Sequence, residues 1–219
     1  QGRVYLASMG IYVFNKKALF NLLESEKADS TDFGKEIMPY SLSQYKVVSY
    51  QYDGYWTDIG NISSFFEANL ALTLDLPPFN LFDNDKMVYS RARMLPPAKF
   101  IGTSIIHSII AEGSIIQAAE ISNSVIGIRS RVGKGSKIIS CYIMGNDFYE
   151  TIDEIENNDS INLPKLGIGD QCELKNVIVD KDCRIGNNVT IIGGPHLENA
   201  DHPLFSIKDG IIVIKKSAV

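Results

Sequence analysis

One short segment of the chain carries the residue types best suited to chemistry. It reads Asp-Gly-Tyr-Trp-Thr-Asp-Ile-Gly from Asp53 to Gly60, and it places the only tryptophan, Trp56, two residues before the carboxylate of Asp58. A carboxylate in such a position can bind a metal ion, accept a hydrogen bond from a sugar hydroxyl, or cap the N-terminus of a helix. Asp58 takes part in a reaction only if it binds a metal ion or a sugar, and not if it merely caps a helix.

The elements on either side must position this carboxylate. A strand-like run from Val47 to Tyr52 precedes it, and an amphipathic pattern from Ile62 to Leu74 predicts a helix after it. Upstream, Val4 to Phe14 predicts a mostly buried strand, and Thr31 or Asp32 can cap a short helix through Ile37 and Met38. This alternation is typical of an α/β domain, but residues 1–75 are too few for a complete doubly wound sheet.

Composition limits the function classes. The chain has 219 residues, of which 45% are hydrophobic, and a net charge of −5. Such a chain can bury a sizeable core, but its acidic balance argues against a general nucleic-acid binder, which needs a basic surface for phosphate contacts. It has no apolar run approaching the roughly 20 residues of a membrane-spanning helix. We therefore expect neither a nucleic-acid nor a membrane partner.

The three cysteines indicate a reducing compartment. Cys141, Cys172 and Cys183 are odd in number and show no C-x-x-C spacing. We interpret them as reduced structural residues, which predicts a cytoplasmic protein.

The second half of the chain has a different regularity. Between Leu74 and Phe100 the periodic pattern stops, and prolines bracket a polar stretch that we interpret as a linker over residues 76–99. Beyond it, aliphatic residues recur twice with spacings of six, five, six and six, at Ile115, Ile121, Ile126, Val132 and Ile138, and again at Ile168, Leu174, Val179, Ile185 and Ile191. A six-residue period predicts a parallel β-helix over residues 100–219, with the aliphatic side chains pointing inward. Ser130 and Ser136 fit small inward positions.

An acidic segment interrupts this repeat. Residues 145–167 contain Asp147, Glu150, Asp153, Glu154, Glu156 and Asp159. A run of like charges between two regular stretches predicts a solvated loop that projects from one corner of the β-helix.

Ordered motifs along the chain resemble the C-terminal half of glucose-1-phosphate adenylyltransferase, also called ADP-glucose pyrophosphorylase. The motifs that carry the resemblance are Tyr5 to Phe14, Asp32 to Pro39, Tyr55 to Gly60, Glu67 to Leu70, Arg91 to Lys99, Ser124 to Gly133, Met144-Gly145, Tyr149 to Thr151 and Asp209 to Ile214. The resemblance implies part of a Rossmann-like nucleotidyltransferase domain over residues 1–75, the linker, and a left-handed parallel β-helix of hexapeptide repeats.

The resemblance also implies an activity. In this family ATP and glucose 1-phosphate give ADP-glucose and pyrophosphate with Mg²⁺, in glycogen or starch synthesis. The resemblance implies a plastid location if the source is a plant. The glycine-rich phosphate loop, the first metal-binding aspartate and the lysine motif for glucose 1-phosphate do not occur in these residues. We therefore expect the chain to be a fragment that lacks the ATP-binding half and is inactive by itself.

Carried over residue by residue, the resemblance predicts a substrate site. Asp58 matches the second magnesium-binding aspartate and is the predicted catalytic residue. Ser8 and Gly10 match the wall of the hexose-phosphate site, Asp32 lies near the glucose, and Trp56 forms core or pocket wall. Without the family, a helix cap for Asp58 or Asp32 and an ordinary buried strand around Ser8 stay open.

The resemblance further predicts regulation and assembly. Lys181 and Lys216 match lysines that bind anionic or phosphorylated allosteric effectors, and Arg91 and Arg93 lie in the linker where such a site could form. The ordinary alternative is that these are solvated surface charges. The family also forms homo- or hetero-tetramers.

Two other functions compete with catalysis of adenylyl transfer. A non-catalytic regulatory or assembly subunit of the same family would keep the β-helix without the activity. A hexapeptide acyltransferase would use a histidine as general base, and His107, His196 and His202 are the candidates. The acyltransferase hypothesis leaves residues 1–74 unexplained.

Overall fold

The computed structural model describes residues 7–219. Contacts divide the chain into two compact units, with the division between Trp56 and Thr57. In the N-terminal unit, α1 (Lys16–Asn21) continues into the turn Leu22–Glu26, and the turn Phe33–Ile37 leads into α2 (Met38–Gln44). Asn15 caps α1, because its side chain accepts a hydrogen bond from the Lys17 N–H at 3.0 Å.

The strands predicted in this unit do not form. Residues 7–14 and 46–52 belong to no strand, and Val13 and Tyr50 expose 97% and 89% of their surface. A strand requires a neighbour for its backbone N–H and C=O groups, and the described part of this unit offers none. The predicted buried strand from Val4 to Phe14 is therefore wrong for residues 7–14, and its first three residues lie outside the described range.

The C-terminal unit opens with α3 (Ile62–Leu70), followed by the short 3₁₀ turn Ala71–Thr73. The helix starts where the amphipathic pattern predicts it. Its buried Phe66 packs against Ile178 and Ile211 of the following sheet structure. By its contacts the helix thus joins the C-terminal unit, whereas the predicted domain boundary near residue 75 stays a prediction.

The rest of this unit is a coiled stack of short strands. No helix or strand covers residues 74–98, and the strands follow from Lys99 onward. They are β1 (Lys99–Phe100), β2 (Ser104–Ile106), β3 (Ile109–Ile110), β4 (Ile115–Ile116), β5 (Glu120–Ser122), β6 (Val125–Ile126), β7 (Arg131–Val132), β8 (Lys137–Ile143), β9 (Gly167–Ile168), β10 (Glu173–Val179), β11 (Arg184–Ile185), β12 (Thr190–Ile192), β13 (Ala200–Asp201), β14 (Phe205–Lys208) and β15 (Ile211–Ile214).

Two sheets run along the stack. One has the order β1-β4-β7-β9-β11, and the other runs from β2 through β5, β8 and β10 to β15. The described pairings are parallel except those of β13 with β14 and of β14 with β15. Parallel pairing between successive coils is the pattern of a β-helix.

The strand register confirms the repeat. Ile121 lies opposite Ile138, Ile138 opposite Leu174, and Leu174 opposite Ile191, one residue from each successive coil. The first three of these side chains are fully buried. They form the inward column that the six-residue period predicts.

The first set of predicted inward residues begins one residue too early. Ile116, paired with Val132, is fully buried, whereas Ile115 beside it is only half-buried. Successive residues of a strand point to opposite sides, so only one of two adjacent isoleucines can face inward. Spacing could not choose between them, and the prediction of Ile115 is wrong.

Ser130 and Ser136 are buried, which confirms their predicted inward positions. Ser124 Oγ accepts a hydrogen bond from the Cys141 N–H at 3.0 Å, and Ser136 Oγ accepts one from the Cys172 N–H at 2.9 Å. The three cysteines are buried and free, which confirms their structural role. Burial raises the pKa of Cys141 to about 12, so this thiol stays protonated at neutral pH.

Candidate active site and candidate anion site

Asp58 lies in the turn that precedes α3 and does not cap it. The cap is Asn61, whose side chain accepts a hydrogen bond from the Ser64 N–H at 2.8 Å. Asp58 is exposed, and its Oδ1 accepts a hydrogen bond from the Gly60 N–H at 2.9 Å. The capping alternative for Asp58 is therefore wrong. The described hydrogen bonds leave its second carboxylate oxygen open to a ligand.

Ser8 and Gly10 form a tight polar turn in the N-terminal unit. The Gly10 N–H donates to Ser8 Oγ at 3.2 Å, and Ser8 Oγ lies 3.1 Å from the hydroxyl of Tyr12. Gly10 has a φ of 71°, in the left-handed region that glycine adopts without strain. The turn exposes a hydroxyl and a bare stretch of backbone, which suit a sugar or phosphate oxygen.

Asp32 lies close to this turn. The Tyr12 ring stacks on Phe33 with ring centres 6.1 Å apart, which places the polar turn beside the residue that follows Asp32. Asp32 Oδ1 accepts a hydrogen bond from the Lys35 N–H at 2.8 Å, so its role as a cap is confirmed. Trp56, at the end of the same unit, is 43% exposed rather than part of a core.

The two lysines predicted to bind effectors meet on one carboxylate. Lys181 Nζ donates a hydrogen bond to Asp147 Oδ1, and Lys216 Nζ lies 3.5 Å from Asp147 Oδ2. Lys216 Nζ also lies 3.8 Å from Asp182. Although the lysines are far apart in sequence, the coils bring them together, and sequence reasoning missed both carboxylates.

Arg91 and Arg93 do not join this cluster by any described ion pair. Both are exposed in the segment between α3 and β1. Their predicted role in an effector site stays a prediction.

The acidic segment is not a simple solvated loop. Gly145, with a φ of 83°, starts it at a point where a Cβ would collide with the backbone of Ile128. It contains α4 (Ile152–Ser160), which begins with a capping box between Thr151 and Glu154. That spacing, Thr-x-x-Glu, was a signal in the sequence for a helix start.

Glu150 fastens this segment to the β-helix. Its side chain is only 5% exposed and accepts hydrogen bonds from Arg184, the Leu166 N–H and Asn158. Burial raises the pKa of the Glu150 carboxyl, but these donors outweigh burial and leave the pKa below its ordinary value. Glu150 is thus a buried, fully partnered charge, which corrects its assignment to a solvated run.

We expect Glu150→Gln to destabilise the chain by about 2 kcal/mol, because the half-buried Arg184 loses its counter-charge. Urea denaturation at pH 7 measures this loss. Because the folded pKa lies below the ordinary 4.5, the contribution of Glu150 is present above that pH and is lost as the pH falls through the folded pKa.

The exposed Glu156 on the same segment provides the control. Glu156→Gln should change the free energy of unfolding by less than about 0.5 kcal/mol. Equal effects of the two substitutions would show that the Glu150 contacts do not stabilise the fold.

The histidines proposed for an acyltransferase are not gathered together. His107 lies 3.5 Å from Asp75, and His202 stacks on Phe205 in the C-terminal hairpin. Within residues 7–219 there is also no group of three His, Cys, Asp or Glu side chains arranged to hold a metal ion. In the same range no helix has the length and apolar character of a membrane span.

Comparison with protein families assigns both parts of the chain. The family model described as GLGC left-handed parallel beta-helix domain matches residues 93–219, more than half of the chain. The model described as Nucleotidyl transferase matches residues 2–74. These two matches in this order are the signature of one enzyme family, and the first supplies the hand of the β-helix. The chain belongs to the glucose-1-phosphate adenylyltransferase family, with a nucleotidyltransferase part followed by a left-handed β-helix.

Proposed function

We propose that the protein transfers an adenylyl group from ATP to glucose 1-phosphate, giving ADP-glucose and pyrophosphate in glycogen or starch synthesis. Membership of the family supports a nucleotidyltransferase that acts on a nucleotide and a sugar phosphate. The observation that carries the finer proposal is the carboxylate of Asp58, which is exposed and free of the capping role.

Asp58 suits Mg²⁺ as the bound ion. Magnesium prefers one or two carboxylates together with substrate phosphate oxygens, rather than a cage made only of protein ligands. Asp58 offers one oxygen, a hard ligand, to the ion. Its other oxygen accepts a hydrogen bond from the Gly60 N–H, and this bond orients the carboxylate. When bound, Mg²⁺ would neutralise charge on the phosphates during transfer.

The N-terminal unit would bind the sugar phosphate. Ser8 can donate its hydroxyl proton to a phosphate oxygen, and Gly10 lets the ligand approach the backbone closely. Asp32 uses one oxygen in its cap, so the other can accept a hydrogen bond from a sugar hydroxyl.

Regulation and assembly form part of the same proposal. The pair Lys181 and Lys216 presents two ammonium groups on one surface, which suits a phosphorylated or otherwise anionic effector. For Arg91 and Arg93, the proposed role in effector binding rests on the family resemblance alone. We further propose a tetramer, which analytical ultracentrifugation of the intact protein would detect.

The activity is tested with the intact protein, glucose 1-phosphate, Mg²⁺ and each nucleoside triphosphate in turn. Formation of ADP-glucose with ATP, and much less product with the other nucleotides, is the expected result. A different nucleotide sugar as the main product would contradict the adenylyl specificity. No product with any nucleotide would favour the non-catalytic regulatory subunit.

A further inference from the structure

Two lysines of the β-helix share a carboxylate that comes from the acidic segment. Lys181 lies just before β11 and Lys216 just after β15, whereas Asp147 is the third residue of the segment 145–167. Asp147 contacts both ammonium groups, one through each of its carboxylate oxygens. The hydrogen bond from Lys181, with a smaller influence of Lys216, lowers the pKa of Asp147 below its ordinary value. The carboxylate is therefore ionised at neutral pH.

Asp147 is placed by its neighbours and not by the lysines alone. Its N–H donates to Asp182 Oδ1 at 2.8 Å, and the buried side chain of Asn146 donates to the Arg129 carbonyl at 2.9 Å. Glu150 fastens the segment again three residues later. The backbone at Asp147 is thus held on both sides, while its side chain turns outward over the lysines.

The two carboxylates of the cluster differ in how easily they can move. The side chain of Asp182 is 10% exposed, whereas that of Asp147 is 43% exposed. Asp147 can rotate into water, where its charge is solvated, but Asp182 cannot. Asp147 is therefore the group that can give way to another anion.

We propose that Asp147 is a built-in counter-ion that a phosphate-bearing ligand must displace from Lys181 and Lys216. This inference rests on the proposed function of the two lysines as an effector site. With Asp147 in place, the two ammonium groups and the carboxylates of Asp147 and Asp182 sum to zero charge. When Asp147 swings away, the cluster carries one positive charge and can attract a phosphate. The acidic segment would then set the threshold concentration for the effector.

The test is calorimetric titration of inorganic phosphate into the 219-residue chain at low ionic strength, comparing the wild type with Asp147→Asn. The variant keeps the shape of the side chain and removes its charge. We expect it to bind phosphate about three- to ten-fold more tightly, the range expected when partly exposed ion pairs no longer compete. Circular dichroism checks that both proteins are folded to the same extent.

Asp201→Asn is the matched control. Asp201 also pairs with a lysine near the C-terminal end of the chain, Lys215, but has no described contact with Lys181 or Lys216. Its removal should leave phosphate affinity unchanged. An equal gain in both variants would overturn the proposal, because it would reflect net charge alone.

Lysine substitutions separate this inference from the proposed function. If Lys181→Gln or Lys216→Gln abolishes the gain of Asp147→Asn, the proposal holds. If the lysine variants weaken phosphate binding but Asp147→Asn does not tighten it, the effector site stands and the counter-ion is overturned. If neither lysine substitution changes phosphate affinity, the effector site is overturned, and the counter-ion inference is overturned with it. The same holds if neither the wild type nor Asp147→Asn binds phosphate.

Discussion

Asp58→Asn in the intact protein is expected to lower the turnover of ADP-glucose synthesis roughly a hundred- to thousand-fold. Asparagine can still accept the hydrogen bond from the Gly60 N–H, so the turn before α3 persists. The substitution removes the negative charge that a magnesium ion would require at this position. Steady-state assay of ADP-glucose at saturating ATP and glucose 1-phosphate measures the effect, and raising the Mg²⁺ concentration should restore part of the activity.

Two comparisons make this result specific. Asp53→Asn removes an exposed carboxylate from the same motif and should leave turnover within about two-fold of the wild type, as is usual for surface substitutions. Loss of a helix cap cannot explain a large effect, because Asn61 and not Asp58 caps α3. An Asp58→Asn enzyme with normal turnover would exclude the metal-binding role.

Leu174→Ala is expected to destabilise the β-helix by about 3–5 kcal/mol. Leu174 is fully buried and lies between Ile138 and Ile191 in the inward column. Removing its side chain leaves a cavity between coils that are joined by backbone hydrogen bonds and cannot collapse freely. Urea denaturation of the 219-residue chain, followed by far-ultraviolet circular dichroism, measures the change.

Leu76→Ala is the matched control for this cavity. Leu76 lies between α3 and β1 and is 90% exposed, so the same chemical change removes no packing. It should alter the free energy of unfolding by less than about 0.5 kcal/mol. Similar losses at the two positions would contradict the inward column as the source of stability.

Features that depend on neighbours in sequence were predictable. The cap at Asp32 and the start of α3 follow from residues a few positions apart, and the structure confirms both. The β-helix was equally accessible, because each six-residue unit repeats the same local pattern of one strand and one corner. The choice between Ile115 and Ile116 was not, since only the strand partner decides which side chain faces inward.

The strands predicted in the N-terminal unit show where prediction from a local sequence pattern fails. Residues 47–52 have the composition of a strand but pair with no other strand in the described range. Apolar, β-branched residues favour a strand only when another strand satisfies their backbone. A pattern in one segment therefore indicates the tendency to pair, and the partner must come from elsewhere.

The sequence by itself determined the family, the repeat and the position of Asp58, because each is written in short motifs with fixed spacing. Only the tertiary structure decided that Glu150 is buried against Arg184 and that Asp147 faces both Lys181 and Lys216. Asp147 and Lys181 are 34 positions apart in the sequence. The acidic segment and one coil of the β-helix lie between them, and the fold brings the two side chains within hydrogen-bonding distance. Charge partners across such a separation are set by the stacking of coils, and no local pattern in the sequence records them.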